Sequence, residues 1–264
     1  MIKALISDAD GTLIDTLHLI RRGQFEAAHM YLAKHGISES DLPSYDTYEA
    51  YLHQAIGGSA RETLEATVRL LFAHKSHHLN DIDFDELHDL LDPTQDKIAS
   101  DTVKQFKGLS EFLRFLGTKN IKLAIFSSGT PHHLVRNFGI ALPELGLTKL
   151  FQDKTLSDVA KLRMLEDKIH KQFNISQVTF VTCEDVSVSK PDPESLLLAL
   201  DRLDVRKEDV AVLGDHWVDM AAGVNAGVAM RIGITHGFDD VASLKEAGAT
   251  IVADDFRETE NALS

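Results

Sequence analysis

Ile2-Lys3-Ala4-Leu5-Ile6-Ser7-Asp8-Ala9-Asp10-Gly11-Thr12-Leu13 decides how the rest of the chain is read. Its apolar run, Ile2, Ala4, Leu5 and Ile6, ends in two acids separated by a single residue and followed at once by a glycine. Read as a strand, the run delivers both acids to its carboxyl end. Side chains i and i+2 of a strand point the same way, and a glycine can leave the extended path, so Asp8 and Asp10 can converge on one point. Two converging carboxylates need a cation. The plainer reading is that both are turn and N-cap acids opening the next helix, and the remainder of the chain has to decide.

After Leu13 the apolar spacing turns helical for about ninety residues. Leu19-Ile20, Phe25, Ala27-Ala28 and Tyr31-Leu32 form one periodic stretch, with Gly36 a plausible stop. Tyr45 to Ala55, closed by Gly57-Gly58, reads as a second helix, Arg61 to His74 as a third, and Phe84 to Leu91 as a fourth ending before Pro93. No strand is evident there. From Lys122 onward short β-rich runs alternate with helices: Leu123–Phe126, Val178–Val181, Val210–Leu213, Met230–Ile234 and Ile251–Val252. Such alternation predicts a parallel, doubly wound (Rossmann-like) α/β sheet. The economical division is therefore an α/β core of residues 1–14 and 106–264, interrupted by an all-helical module over 15–105. Because that module leaves the core beside the carboxyl end of the first strand, where open parallel sheets bind ligands, it is placed to act as a lid.

Composition narrows the field. Forty-one acids against 27 lysines and arginines give a formal charge of −14, so no basic footprint for nucleic acid or for an anionic membrane surface is present. The single cysteine, Cys183, cannot make an internal disulfide and reads as a small core residue; a reducing compartment suits it. A first strand starting at Ile2 leaves no room for a leader, and no apolar run reaches the length of a membrane span. The expected address is the cytoplasm.

Three further segments sit at or just beyond predicted strand ends. Ser127-Ser128-Gly129-Thr130-Pro131 offers a hydroxyl and several backbone N–H groups in a turn that could hold an oxyanion. Lys190, in Ser189-Lys190-Pro191-Asp192-Pro193, carries a point charge able to neutralise a phosphoryl group and tether a neighbouring carboxylate. Gly214-Asp215-His216-Trp217-Val218-Asp219 sets two acids four apart across a strand-to-helix turn, a donor type that suits Mg²⁺. Taken singly, each segment also reads as an ordinary loop, a solvated helix entry or a dipole-favoured acid pair. Their order along one sheet makes the combined signal far stronger.

With these residues in view, the sequence resembles the haloacid dehalogenase-like hydrolase superfamily, in its phosphatase branch with a helical cap after the first motif. The four segments D-A-D-G-T-L, I-F-S-S-G, S-K-P-D-P and L-G-D-H-W-V-D each match one family motif, and the tail Ile234–Phe238 with Ala247-Gly248-Ala249 looks like that of phosphoglycolate phosphatase-like members. The resemblance implies Asp8 as nucleophile and Asp10 as general acid and base. It implies Ser127, with Ser128 beside it, and Lys190 as phosphoryl-binding groups. Mg²⁺ would be held by Asp8, the Asp10 carbonyl, Asp215 and Asp219, and the substrate would be a small phosphate monoester. Asp192 and His216 depart from residues frequent in relatives, and Lys107 stands where many have proline.

In the helical module, Gly57-Gly58-Ser59-Ala60-Arg61 is the loop expected to reach the site, with Arg61 either meeting a second substrate anion or pairing with a nearby acid. His74, His77, His78 and His88 read as a solvated face rather than a metal site, Arg21 and Arg22 as exposed, and one of His132 and His133 as a candidate pocket residue. A phosphomutase of the same architecture would carry the same core motifs. A dehalogenase would leave Asp10 and the metal acids without a use, and a silent binding module would show degenerate motif positions.

Overall fold

The computed structural model describes residues 2–36, 43–55, 59–72 and 82–264. The chain divides into two compact units, one of Met1–Leu17 with Val103–Ser264 and one of His18–Thr102.

The first unit is built on a six-stranded sheet in which every pairing is parallel. Strands β1 (Ala4–Ser7) and β4 (Lys122–Phe126) are adjacent, β5 (Val178–Val181) lies beyond β4, and β6 (Val210–Gly214), β7 (Met230–Ile234) and β8 (Ile251–Ala253) continue from the other side of β1. All four residues of β1 and all five of β6 are buried, as expected of central strands covered on both faces. The chain runs outward through β4 and β5, then returns to cross β1 and continue as β6 to β8, so the order reverses at β1. A crevice opens at such a reversal, outside the carboxyl ends of the strands.

Register places the chemistry. Ser7 is level with Ile125 on one side and Leu213 on the other, so Asp8, Ser127 and Asp215 all leave the sheet at the same edge. Helix α9 (Glu194–Leu203) shows how the layers are held: Leu196, Ala199, Leu200 and Leu203 form one apolar stripe, packed with Ala124, Phe126, Val181 and Val212 of the strands.

Two short strands went unread in the sequence. β2 (Ile14–Asp15) pairs antiparallel with β3 (Lys104–Gln105), Ile14 opposite Gln105. Two residues carry no alternation that a pattern could reveal.

The second unit is helical: α1 (Leu17–Lys34, its first residue belonging to the other unit), α2 (Tyr45–Ala55), α3 (Ala60–Phe72), α4 (Phe84–Asp89) and α5 (Leu91–Thr102). Its core gathers Ala27, Ala28, Tyr31, Leu32, Tyr48, Leu52, Leu64, Val68, Leu71, Leu87 and Leu91. Here the sequence reading needs correcting, because Pro93 does not end the helical stretch. It lies in the first turn of α5, where a backbone N–H has no intrahelical partner to lose. Among the described residues no helix is long and apolar enough to cross a membrane.

Candidate active site

Asp8 follows directly on β1 and is 7% exposed. Its Oδ1 accepts from Lys190 Nζ at 2.5 Å, and the same ammonium donates to Asp219 Oδ1 at 2.7 Å and to the Phe126 carbonyl at 3.3 Å, 4.3 Å above the Phe126 ring. Asp215 is the residue after β6, and Asp219 lies in the first turn of α10 (Trp217–Asn225). Asp8, Asp215 and Asp219 present oxygens within 4.8 Å of one another, an all-oxygen set that could hold a metal ion. Hard oxygen donors of this kind suit a hard divalent cation.

Several groups unread in the sequence fix this cluster. Thr12 Oγ1 donates to Asp215 Oδ1 and the Phe238 N–H to Asp215 Oδ2 at 2.8 Å. The His216 N–H donates to Asp219 Oδ2 at 3.2 Å. Glycine is required at two neighbouring points: a Cβ on Gly11, whose φ is +85°, would lie 2.4 Å from Asp215 Oδ2, and one on Gly237 would lie 2.0 Å from that same atom. His236 closes the loop after β1, its Nε2 2.9 Å from the Thr12 carbonyl and its ring stacked on Phe106 at 3.8 Å.

The charges do not balance. Three buried carboxylates face one ammonium. Burial pushes Asp8 up to about 7, with Lys190 pulling against it and Asp219 and Asp10 adding to the rise. Burial likewise holds Asp215 well above the ordinary carboxyl range, reinforced by the charges of Asp8 and Asp219. Burial opposes the charge on Lys190, but Asp219 and Asp8 outweigh it and keep the ammonium protonated above its usual range. A divalent cation would supply the two missing positive charges, so the residues present fit one.

Asp10 is half-buried, and its carboxylate lies outside the group of three. Its Oδ1 instead accepts from Asn137 Nδ2 at 2.8 Å. Ser127, 6% exposed, accepts the Gly129 N–H at 2.9 Å through its Oγ, while Ser128 is half-buried in the same turn. That turn leads into α7 (Pro131–Ala141), capped by Thr130 and His133, and His133 is buried there. His216 is also buried, with Trp217 beside it 43% exposed. Cys183 is half-buried rather than a core residue, its N–H donating to the Gly129 carbonyl at 3.2 Å.

In the helical unit Arg61 is exposed on the first turn of α3. Arg21 pairs with Glu49 at 3.0 Å and Arg22 with Glu26 at 2.6 Å. His88 is half-buried rather than on a solvated face, and burial followed by the charge of Arg61 lowers its pKa. Gly57, Gly58, His74, His77 and His78 lie outside the described residues.

A family model for haloacid dehalogenase-like hydrolases matches residues 2–227, which contain Asp8, Asp10, Ser127, Lys190, Asp215 and Asp219. The chain belongs to that family. Its relatives include a phosphorylated carbohydrates phosphatase of Thermotoga maritima, 28% identical over 94% of this chain and 92% of the relative. Another is the pyrophosphatase PpaX of Listeria monocytogenes, 25% identical over 88% and 85%. Among solved structures, a predicted phosphoglycolate phosphatase from Haemophilus somnus 129pt shares the fold with a TM-score of 0.75 at 15% identity, covering 100% of this chain and 98% of its own. A Thermotoga maritima structure presented as a candidate β-phosphoglucomutase is 25% identical, with a TM-score of 0.64 and coverage of 99% and 98%.

Proposed function

We propose that this family member is a Mg²⁺-dependent phosphatase of small phosphate monoesters, phosphoglycolate- or sugar-phosphate-like, working through an aspartyl phosphate on Asp8. The observation that carries this reading is the cluster of Asp8, Asp215 and Asp219 at the sheet edge, with Lys190 bound to Asp8 and Asp219. The name of the Thermotoga maritima phosphatase points the same way, and a cytoplasmic setting suits a chain with one cysteine.

Phosphate-monoester hydrolysis is so slow unaided that the site has to lower the barrier by about 20 kcal/mol or more. Positioning and charge stabilisation supply most of that. Asp8, Asp215, Asp219 and the Asp10 carbonyl would hold Mg²⁺, which when bound would screen the substrate's negative charge from the attacking carboxylate. Lys190 neutralises equatorial phosphoryl oxygens, and the hydroxyl and N–H groups of the Ser127–Ser128 turn bind them. An Asp8 oxygen attacks phosphorus, the ester P–O bond breaks, and Asp10 gives its proton to the leaving oxygen. Water then attacks the same phosphorus, its proton passes to Asp10, and the acyl phosphate P–O bond breaks to restore Asp8. Arg61 is proposed to take a second anionic group where the substrate carries one.

A broad panel of phosphate monoesters, with and without Mg²⁺, tests the proposal. Inorganic phosphate released only with Mg²⁺ is the expected result. Isomerised hexose phosphate with no phosphate release would make the protein a mutase, and turnover indifferent to Mg²⁺ would remove the metal from the reading.

A further inference from the structure

We propose that Asn137 is a positioning residue for Asp10, and that the buried Arg136 sets the sense in which it acts; this rests on the reading of Asp10 as general acid and base. Asn137 lies within α7, is 3% exposed, and donates through Nδ2 to Asp10 Oδ1 at 2.8 Å. Asparagine is a poor helix former. Here its side chain is turned inward, onto a residue 127 positions away in sequence.

The amide could in principle face Asp10 with either its oxygen or its nitrogen. Arg136, 1% exposed, decides between them: its Nε donates to Asn137 Oδ1 at 3.0 Å. A guanidinium has no acceptor, so the amide oxygen faces Arg136 and the NH₂ faces Asp10. The consequence passes to the carboxyl group. Asp10 Oδ1 meets a donor and is an acceptor whether or not the group carries a proton, so the proton of its neutral form sits on Oδ2. That second oxygen faces the turn after β4, since a Cβ built on Gly129 would lie 3.7 Å from Asp10 Oδ2 and 3.2 Å from Ser127 Oγ. Arg136 and Asn137 together therefore aim the acid's proton at the turn assigned to the phosphoryl group. A half-buried carboxyl released from Asn137 could rotate about χ2 and would present the proton there only part of the time.

Leaving-group dependence reports this role where a packing defect would not. A p-nitrophenolate leaves without a proton, whereas an alkoxide needs one in the transition state. The parameter to compare is kcat/KM, which covers steps only as far as departure of the leaving group and excludes hydrolysis of the phosphoenzyme. In Asn137→Leu, and in Asn137→Asp, which keeps the size and the acceptor for Arg136, kcat/KM for an alkyl phosphate is expected to fall about 10- to 100-fold, with that for p-nitrophenyl phosphate changing less than about 3-fold. Circular dichroism melts verify that each variant is folded. Equal losses for both esters, or no loss for either in the folded variants, would overturn the role of Asn137. If the unaltered protein showed no Mg²⁺-dependent hydrolysis of either ester, the assignment of Asp10 would fall first and the role of Asn137 with it.

Discussion

Two lysines of the α/β unit are almost fully buried, Lys161 at 5% exposed and Lys190 at 8%, and their surroundings differ in charge. Lys161, on α8 (Asp158–Phe173), meets Asp158 Oδ1 at 2.9 Å and the Phe151 carbonyl at 3.3 Å. One cation bonds one anion, and the Asp158 side chain is 46% exposed, so water carries part of the load. Lys190 touches Asp8 and Asp219, and Asp215 completes the cluster with nothing of positive charge to match it. The difference separates a pair that holds structure from the cluster to which the proposal assigns the chemistry. A structural ion pair closes its own charge, whereas a phosphoryl-transfer site leaves room for a cation and a dianion that arrive from solution.

Replacing each lysine by methionine breaks the comparison most sharply. Lys190→Met is expected to reduce Mg²⁺-dependent phosphate release about 10²- to 10³-fold. In urea unfolding it should also cost about 3 kcal/mol, because two buried carboxylates lose their partner. Lys161→Met should leave turnover unchanged and cost about 1 kcal/mol or less. Similar effects of the two replacements on turnover would dissolve the distinction.

A smaller effect sharpens it. Burial pushes Asp8 from an ordinary value of 3.8 up to about 7, so in EDTA, between those values, the folded protein is expected to bind more protons than the unfolded chain. Stability contributed by this group therefore falls as pH rises through that window. Mg²⁺ has to displace those protons, so its stabilising effect should grow over the same range and reach about 2.7 kcal/mol at one hundred times its Kd. Melting curves in EDTA and in Mg²⁺ at pH 5 and pH 8 provide the check. Asp215→Asn should lose most of the Mg²⁺ response. A Mg²⁺ shift that is larger at pH 5 than at pH 8 would contradict the reading.

What could be read in the sequence follows from how local each signal is. Asp8 and Asp215 stand at the ends of apolar runs, Lys190 and Asp219 lie in the segments that follow β5 and β6, and parallel strand ends meet because sheet register obliges them to. Asp8, Lys190, Asp215 and Asp219 could therefore be brought together without coordinates. Asn137 could not, since an asparagine within a helix looks like any surface polar residue until the fold turns it onto Asp10. Thr12 and Gly237 were hidden for the same reason: each acts through its distance from Asp215, which no spacing records. In the helical unit, Pro93 reads as a terminator because a proline stops one helix and opens another equally well.

The claim on which the rest depends is that Asp8 becomes phosphorylated. Acid-quenched single-turnover mixtures, reduced with borohydride, convert an aspartyl phosphate to homoserine, and peptide mapping locates the converted residue. Homoserine at position 8, present with substrate and Mg²⁺ and absent from Asp8→Asn, is the expected result. Phosphate release by the unaltered protein with Asp8 left unconverted at every quench time, or conversion at another acid, would contradict it.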